Sequence, residues 1–344
     1  MALRLMAATA MVCLLYACNS KKYLQEGQSF LYANKTSIKS HAKIPNKSDL
    51  YDDLVTLYRQ PETKTVFGIP RHVFYYHYIE SLKRRPGRKQ WSEERLIKNR
   101  PVIFDSLKAE QTAQDFKHYL ALRGYRFAKA SFKAKVADKE ANVFYKVDPG
   151  PRMYVDSFQI IAEDYAIQHL IDSVPSPGII KKGSPLDIEL FNQEKARIVR
   201  LIQNRGYATF DETYIPQLEV DTSMHRVKAT MRVLNPSDST YHLIYRIGTV
   251  TIYPDYDATI SRTFFDTIVN KLHYELPDSA VFTLKPEALQ RNVYLQPGAL
   301  SRRDDLDRTV RSLSRMDLIK FVTPAFYVDT SDATLPRINY TFFL

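Results

Sequence analysis

Three segments of the chain repeat one pattern of apolar and polar positions, and they cover residues 112–147, 184–233 and 301–344. Each segment begins with apolar residues three or four positions apart, which predicts an amphipathic helix. Each then alternates apolar and polar residues, which predicts the strands of a hairpin. In the first segment Phe132, Ala134 and Val136 interleave with Lys133 and Lys135. We therefore expect small sheets with one apolar face that packs on the helices.

Cap residues place the ends of these helices. A hydroxyl residue followed three positions later by Asp predicts each start, because the hydroxyl accepts from an orphan N–H and the acid suits the positive helix end. The pairs are Thr112 and Asp115, Ser184 and Asp187, and Ser301 and Asp304. Gly124 and Gly206 predict two of the ends, since glycine adopts the left-handed backbone that closes a helix. The third segment has Met316-Asp317 where a glycine is expected.

Further elements precede each segment. Residues 29–40, 153–161 and 245–253 are predicted strands, and short helices are predicted at 48–59, 71–82, 164–173 and 260–272. Turn-rich stretches at 148–151 and 235–238 mark boundaries between the repeats. The order in the second and third repeats is β-α-α-β-β, and the sequence predicts an α+β fold.

The N-terminus resembles an export signal. One Arg precedes an apolar run from Leu5 to Ala17, which is shorter than the roughly 20 residues of a membrane-spanning helix. Leu15-Tyr16-Ala17-Cys18 resembles the lipobox of bacterial lipoproteins. That resemblance implies cleavage before Cys18 and lipidation of Cys18; the alternative is a plain signal peptide followed by an incidental cysteine. Cys13 would be discarded with the signal, so the mature chain could form no internal disulfide.

The net charge of +11 in 344 residues suggests anionic surroundings. Residues 59–100 hold eleven Lys or Arg against four Glu, and they include the only Trp. The candidate membrane-surface contacts are Lys83, Arg84, Arg85, Arg88, Lys89 and Trp91. Basic and aromatic side chains together suit anionic lipid headgroups. The equally weighted alternative is a core-facing helix followed by a solvated loop, and export makes nucleic acid an unexpected partner.

Motifs for catalysis are weak in this sequence. Asp255-Tyr256-Asp257 spells a pattern that some metal sites use, but a short acidic pair in a turn is far commoner. His72 and His77 lie five positions apart, which does not bring them to one helical face. We expect no enzyme, no metal and no cofactor.

A β-α-α-β-β unit that recurs in an exported chain resembles the polypeptide-transport-associated (POTRA) domain. The resemblance is strongest in residues 23–35, 122–160 and 295–329. Together these stretches resemble the periplasmic arm of the lipidated BamA/TamA-like outer-membrane assembly proteins. In that family POTRA domains precede a C-terminal outer-membrane β-barrel, receive unfolded outer-membrane proteins and help to insert them.

The resemblance implies a signal peptide at 1–17, a lipidated linker at 18–28, and POTRA-like domains at 29–150 (with an insertion), 151–236 and 237–344. It also implies a lipid anchor in the outer membrane, domains in the periplasm and a TamB-like inner-membrane partner. Unfolded clients would pair with open sheet edges, unless those edges are blocked and the repeats act as spacers. The alternative function is a free-standing lipoprotein adaptor that scaffolds an envelope complex. The reading frame downstream of Leu344 separates the two, since a barrel there supports the first and a stop codon the second.

Overall fold

A computed structural model gives the fold, and it describes residues 24–40, 44–66, 69–71, 98, 100–174, 178–221, 227–237, 241–254, 256, 264–276, 284–329 and 335–344. The fold in these ranges is α+β, as predicted. The helices are α1 (Lys47–Thr56), α2 (Ser106–Leu122), α3 (Tyr165–Ser173), α4 (Ile188–Gln203), α5 (Pro286–Gln290) and α6 (Arg303–Leu313). The strands are β1 (Phe30–Ile38), β2 (Thr65–Val66), β3 (Ile69–Pro70), β4 (Lys129–Ala137), β5 (Glu140–Asp148), β6 (Val155–Ala162), β7 (Glu219–Asp221), β8 (Val227–Val233), β9 (Arg246–Tyr253), β10 (Phe265–Val269), β11 (Leu272–Leu276), β12 (Thr323–Asp329) and β13 (Arg337–Phe343).

The chain divides into two compact units. Unit 1 contains Met1–Met153 and Pro185–Asp187, and unit 2 contains Tyr154–Ser184 and Ile188–Leu344. The main sheet of unit 1 has the order β1-β5-β4, with β1 parallel to β5 and β5 antiparallel to β4. Its buried face packs on α1 and α2 through residues that include Leu54, Phe116 and Tyr145.

Unit 2 contains two sheets. The first has the order β6-β8-β7 and repeats the pairing of unit 1, with β6 parallel to β8 and β8 antiparallel to β7. Helices α3 and α4 lie between its strands in the sequence, so this repeat has the predicted β-α-α-β-β order. Asp164 caps α3 by accepting from the backbone N–H groups of Ala166 and Ile167.

The second sheet of unit 2 has five strands in the order β10-β11-β9-β13-β12. The short helix predicted at 260–272 is wrong, because residues 265–276 form the hairpin β10–β11. Asn270 and Lys271, with φ of 52° and 71°, make its two-residue turn in the left-handed conformation typical of tight hairpins. The hairpin widens this sheet beyond the three strands of the other two repeats.

The core beside the five-stranded sheet contains a fully buried tyrosine. Tyr274 on β11 donates a hydrogen bond from its hydroxyl to the carbonyl of Pro286, at 3.2 Å. Burial raises the pKa of Tyr274 to about 12, so the hydroxyl stays protonated in the folded chain.

The predicted helix starts are wrong in all three repeats. Helix α2 begins at Ser106 and is capped by Asp105, which accepts from the backbone N–H of Leu107; Thr112 lies inside the helix and donates to the carbonyl of Lys108. Helix α4 begins after Asp187, and the Ser184 hydroxyl instead accepts from the backbone N–H of Lys181. A serine or threonine before an apolar run therefore did not mark the cap here.

The predicted start of the third helix is also wrong, whereas the two predicted glycine ends are confirmed. Helix α6 begins at Arg303, and the Ser301 hydroxyl lies 2.8 Å from the hydroxyl of Tyr340 instead of capping the helix. The predictions for Gly124 and Gly206 are confirmed, because both glycines follow the helices with φ of 88° and 96°.

Candidate functional site

Several predicted site residues lie outside the described residues. They are Cys18, the basic and aromatic candidates Lys83, Arg84, Arg85, Arg88, Lys89 and Trp91, the acidic pair Asp255 and Asp257, and His72 and His77. Across the ranges that the structure describes, no cluster of three or more His, Cys, Asp or Glu side chains could hold a metal ion. No helix within those same ranges has both the length and the apolar character to cross a membrane. The described site candidates are therefore the outer strands of the sheets.

Strand β1, one outer strand of unit 1, is covered by its own unit. The backbone N–H of Thr63 donates to the carbonyl of Leu31 at 2.9 Å, and the N–H of Leu31 donates to the carbonyl of Val102 at 2.7 Å. The Glu62 carboxylate accepts from the backbone N–H of Asn34 at 2.7 Å. An added strand would have to displace these bonds, so this edge is closed.

Strand β6 is closed in a similar way. The backbone N–H of Val155 donates to the carbonyl of Ser184 at 2.8 Å. Further along, the side chain of Gln168 on α3 accepts from the N–H of Ala162 at 2.7 Å. Strand β7, at the other side of this sheet, has only three residues, which gives an incoming peptide few bonds.

Strand β12 is an open edge in the described part of the chain. It forms seven antiparallel residue pairs with β13, and among the described residues no strand pairs with its other side. Phe326 and Tyr327 in its centre are 56% and 58% exposed. An extended edge with exposed aromatic side chains is the type of surface that accepts a further strand.

Pro324 indicates which backbone groups of β12 point outward. Proline has no N–H, so within a sheet it is confined to positions that do not donate to the neighbouring strand. Backbone groups two residues apart in a strand point to the same side. The N–H and C=O groups of Phe326 and Val328 therefore point away from β13, and among the described residues no strand pairs with them.

A shallow groove runs between β12 and α6. Its lining includes Leu306 and Val310 from the helix and Ala325, Phe326 and Tyr340 from the sheet. Phe326 lies opposite Tyr340 in the register, with the ring centroids 6.3 Å apart, and so faces the helix side. It is nonetheless exposed, so α6 leaves the outermost strand uncovered. The groove offers an apolar place for one side chain of a paired peptide.

Charged groups border this groove. Arg303 and Asp307 form an ion pair at 2.8 Å on one side, and Arg311 lines the same wall. Burial raises the pKa of Tyr340, while its hydrogen bond with Ser301 acts in the opposite direction. The floor of the groove is therefore neutral, and its charges lie at the rim.

Strand β4 is the outer strand at the other side of the β1-β5-β4 sheet. Its far end is uncovered, with Val136 54% exposed, so the prediction that this apolar face packs on the helices fails there. Lys133 and Lys135 lie on the opposite face of the same strand. Lysine on an edge strand discourages pairing with other chains, which makes β4 a more guarded edge than β12.

The sequence predicts the hairpin of β12 and β13 but not the groove. The alternation in residues 338–344 identifies the second strand of this hairpin, and β12 is predicted only as its partner. Exposure of Phe326 depends on where α6 lies over the sheet, and no local pattern reports that placement.

No family model matches the chain, and no curated protein matches it. Similar solved structures include POTRA domains 3–5 of BamA from Haemophilus influenzae, which are 10% identical, with 93% of this chain and 99% of that chain covered and a TM-score of 0.43. POTRA domains 1–3 of Omp85 from Anabaena are 9% identical, with 93% and 96% covered and a TM-score of 0.29. The N-terminal domain of Omp85 from Thermosynechococcus elongatus is 8% identical, with 93% and 98% covered and a TM-score of 0.28. The α+β assignment for this chain rests on its own strand order and connections.

Proposed function

We propose that the chain is a periplasmic arm of three POTRA-type domains in an outer-membrane protein insertion or translocation factor. Its clients are unfolded outer-membrane proteins, which pair as extended strands with the open edge of β12. The observation that carries this proposal is the combination of an exposed outer strand, outward backbone groups at Phe326 and Val328, and an apolar groove beside α6.

Binding through the main chain suits a factor that handles many clients. Every peptide offers the same N–H and C=O groups, so pairing along β12 requires no particular client sequence. Each net hydrogen bond contributes about 0.5–1.5 kcal/mol, which gives weak and reversible contacts over a few residues. Phe326 in the groove would favour clients with an apolar side chain at the matching position.

The proposal includes the domain boundaries 29–150, 151–236 and 237–344. It also includes cleavage of a signal peptide at 1–17, a lipid on Cys18 in the linker 18–28, and residence at the outer membrane with the domains in the periplasm. The residues Lys83 to Trp91 would contact the membrane surface, and a TamB-like inner-membrane protein would be a partner. No enzymatic activity, cofactor or nucleic-acid binding belongs to this function.

Clients would be passed to a β-barrel encoded beyond Leu344. The alternative function is a free-standing lipoprotein adaptor that scaffolds an envelope complex without handling clients. Sequencing the reading frame downstream of Leu344 distinguishes them, because a barrel of alternating strands supports transfer and a stop codon supports the adaptor.

Site-specific photocrosslinking tests the client-binding edge. A photoreactive amino acid at Tyr327 on β12 is compared with one at Arg308 on α6, and an unfolded outer-membrane protein is added to the full chain. We expect several-fold stronger labelling at Tyr327. Equal labelling at the two positions would contradict the proposal.

Two variants locate the contact within this edge. Val328→Pro removes an outward N–H without removing a bond to β13, and Phe326→Ser empties the groove. Both are expected to reduce labelling from Tyr327, while circular dichroism confirms that the variants remain folded. Unchanged labelling in both folded variants would place client binding elsewhere.

A further inference from the structure

The outer face of the β1-β5-β4 sheet is dense in lysine. Residues Ala141, Val143, Tyr145 and Val147 of β5 point to the buried face, so Phe144 and Lys146 point to the opposite one. The register places Lys35 of β1 and Lys133 of β4 beside Phe144. We name the outer face of these strands the lysine face, and its five lysines are Lys35, Lys129, Lys133, Lys135 and Lys146.

No described carboxylate forms an ion pair with these lysines, although the register places Asp148 opposite Lys129 at one end of the face. All five are exposed, and none of them forms an ion pair with another described residue. Lys35 and Lys135 each place their ammonium nitrogen 5.6 Å from the ring centroid of Phe144. The acidic residues Glu140 and Asp148 occupy only the two ends of β5. Five like charges on one small sheet repel each other, and an anionic partner would relieve that repulsion.

The shape of the face limits the type of partner. A three-stranded sheet is about 10 Å wide between its outer strands, which makes this face a broad surface with its five lysines spread over it. Long lysine stems around an aromatic ring resemble the side chains that lie at the headgroup level of a bilayer. Each lysine near an anionic bilayer adds to the attraction, so five together form a multivalent contact.

The position in the chain also favours a bilayer. Residues 19–29 separate Cys18 from Phe30, and eleven extended residues span at most about 40 Å. The lipid on Cys18, which belongs to the proposed function, would therefore keep this sheet close to the membrane surface. We propose that the lysine face binds anionic phospholipid headgroups and so lays the first repeat on the membrane that holds the anchor.

Flotation with vesicles tests this proposal without any contribution from the lipid anchor. The full chain with Cys18→Ser, which cannot be lipidated there, is mixed with vesicles of phosphatidylcholine alone or with phosphatidylglycerol added. The test variant is K133E/K135E/K146E. The control variant K181E/K228E/K320E makes the same change of net charge at exposed lysines of unit 2.

We expect the parent and the control variant to bind the phosphatidylglycerol vesicles more than the neutral ones, and increasingly so at low salt. The test variant should lose about tenfold or more of that difference while circular dichroism shows an unchanged fold. An equal loss of vesicle binding in both triple variants would mean that net charge alone explains the binding. That result would overturn the assignment to the lysine face.

Two further outcomes also overturn it. One is full binding by the test variant together with loss in K83E/R84E/K89E, which would assign the contact to the basic segment instead. The other is retention on heparin without vesicle binding, which would indicate a soluble polyanion or an acidic protein. Client crosslinking at β12 is measured separately, so neither result decides the proposed client-binding function.

Discussion

At the scale of single residues, two glycines of unit 2 share a backbone conformation and differ in their surroundings. Gly183 and Gly206 have φ of 84° and 96°, and residues other than glycine rarely adopt such backbone angles. A Cβ at Gly183 would meet nothing within 4 Å. A Cβ at Gly206 would lie 2.6 Å from Leu300 and 2.7 Å from Ile244. Backbone strain is thus common to both positions, and crowding is confined to Gly206.

Substitution by alanine separates these two effects. Gly183→Ala is expected to cost about 1–2 kcal/mol of unfolding free energy, from the left-handed backbone alone. Gly206→Ala is expected to cost a further 1–3 kcal/mol, because the methyl group overpacks the contact with Leu300 and Ile244. Urea unfolding followed by circular dichroism measures both. Equal losses would mean that the neighbours of Gly206 move aside without cost.

At the scale of elements, periodicity predicted types better than boundaries. The helices near 48–59 and 164–173, and the strands at 153–161 and 245–253, follow from local apolar spacing and are present with small shifts. The helix starts were wrong because a hydroxyl residue can also form a bond inside a helix or to another element. Thr112 and Ser301 do so, and the sequence around them does not distinguish these uses.

The error at 260–272 has a related cause. A short apolar tract fits a helix or a strand, and the deciding feature is the turn at Asn270-Lys271. The open edge at β12 was likewise only half predictable. Its strand is expected as the partner of the alternating strand at 338–344, while the exposure of Phe326 follows from the placement of α6 over the sheet.

The β10–β11 turn offers a test at the element scale. Lys271→Gly is expected to stabilise the chain by about 0.5–1 kcal/mol, because glycine accepts a φ of 71° without steric strain and Asn-Gly is a favoured hairpin turn. Lys139→Gly in the β4–β5 turn should stabilise the chain less, since it also removes the hydrogen bond from the Lys139 ammonium to the carbonyl of Leu24. Thermal unfolding ranks the two variants. A lower melting temperature for Lys271→Gly would contradict the strain argument.

At the scale of the whole molecule, two repeats end their long helices in the same way. The carbonyl of Gly124 accepts from the backbone N–H of Met153 within unit 1, and the carbonyl of Gly206 accepts from the N–H of Tyr245 within unit 2. The tyrosine after each glycine is buried: Tyr125 is 4% exposed and Tyr207 is 5% exposed. In both cases the chain that follows the repeat covers the end of the helix.

The third repeat has the same surface without such a cover among the described residues. Counting from the shared Val-Arg pairs, 199–200 and 310–311, aligns Leu318 with Tyr207 and Phe321 with Phe210. Leu318 and Phe321 are 77% and 79% exposed, while Phe210 is 1% exposed. By analogy with the other two repeats, a further protein segment of the proposed translocation machinery would cover this surface.

Matched double variants separate a binding surface from a packing surface. Leu318→Ser with Phe321→Ser should change the unfolding free energy by less than about 1 kcal/mol, because both side chains are already exposed. Tyr207→Ser with Phe210→Ser should cost at least about 3–5 kcal/mol, because it removes two buried aromatic side chains. If this surface binds the proposed translocation machinery, insertion of outer-membrane proteins in cells should nevertheless fall for the first pair. Normal insertion by a stable Leu318/Phe321 variant would show that this surface has no partner, and the exposed residues would then be incidental to transfer.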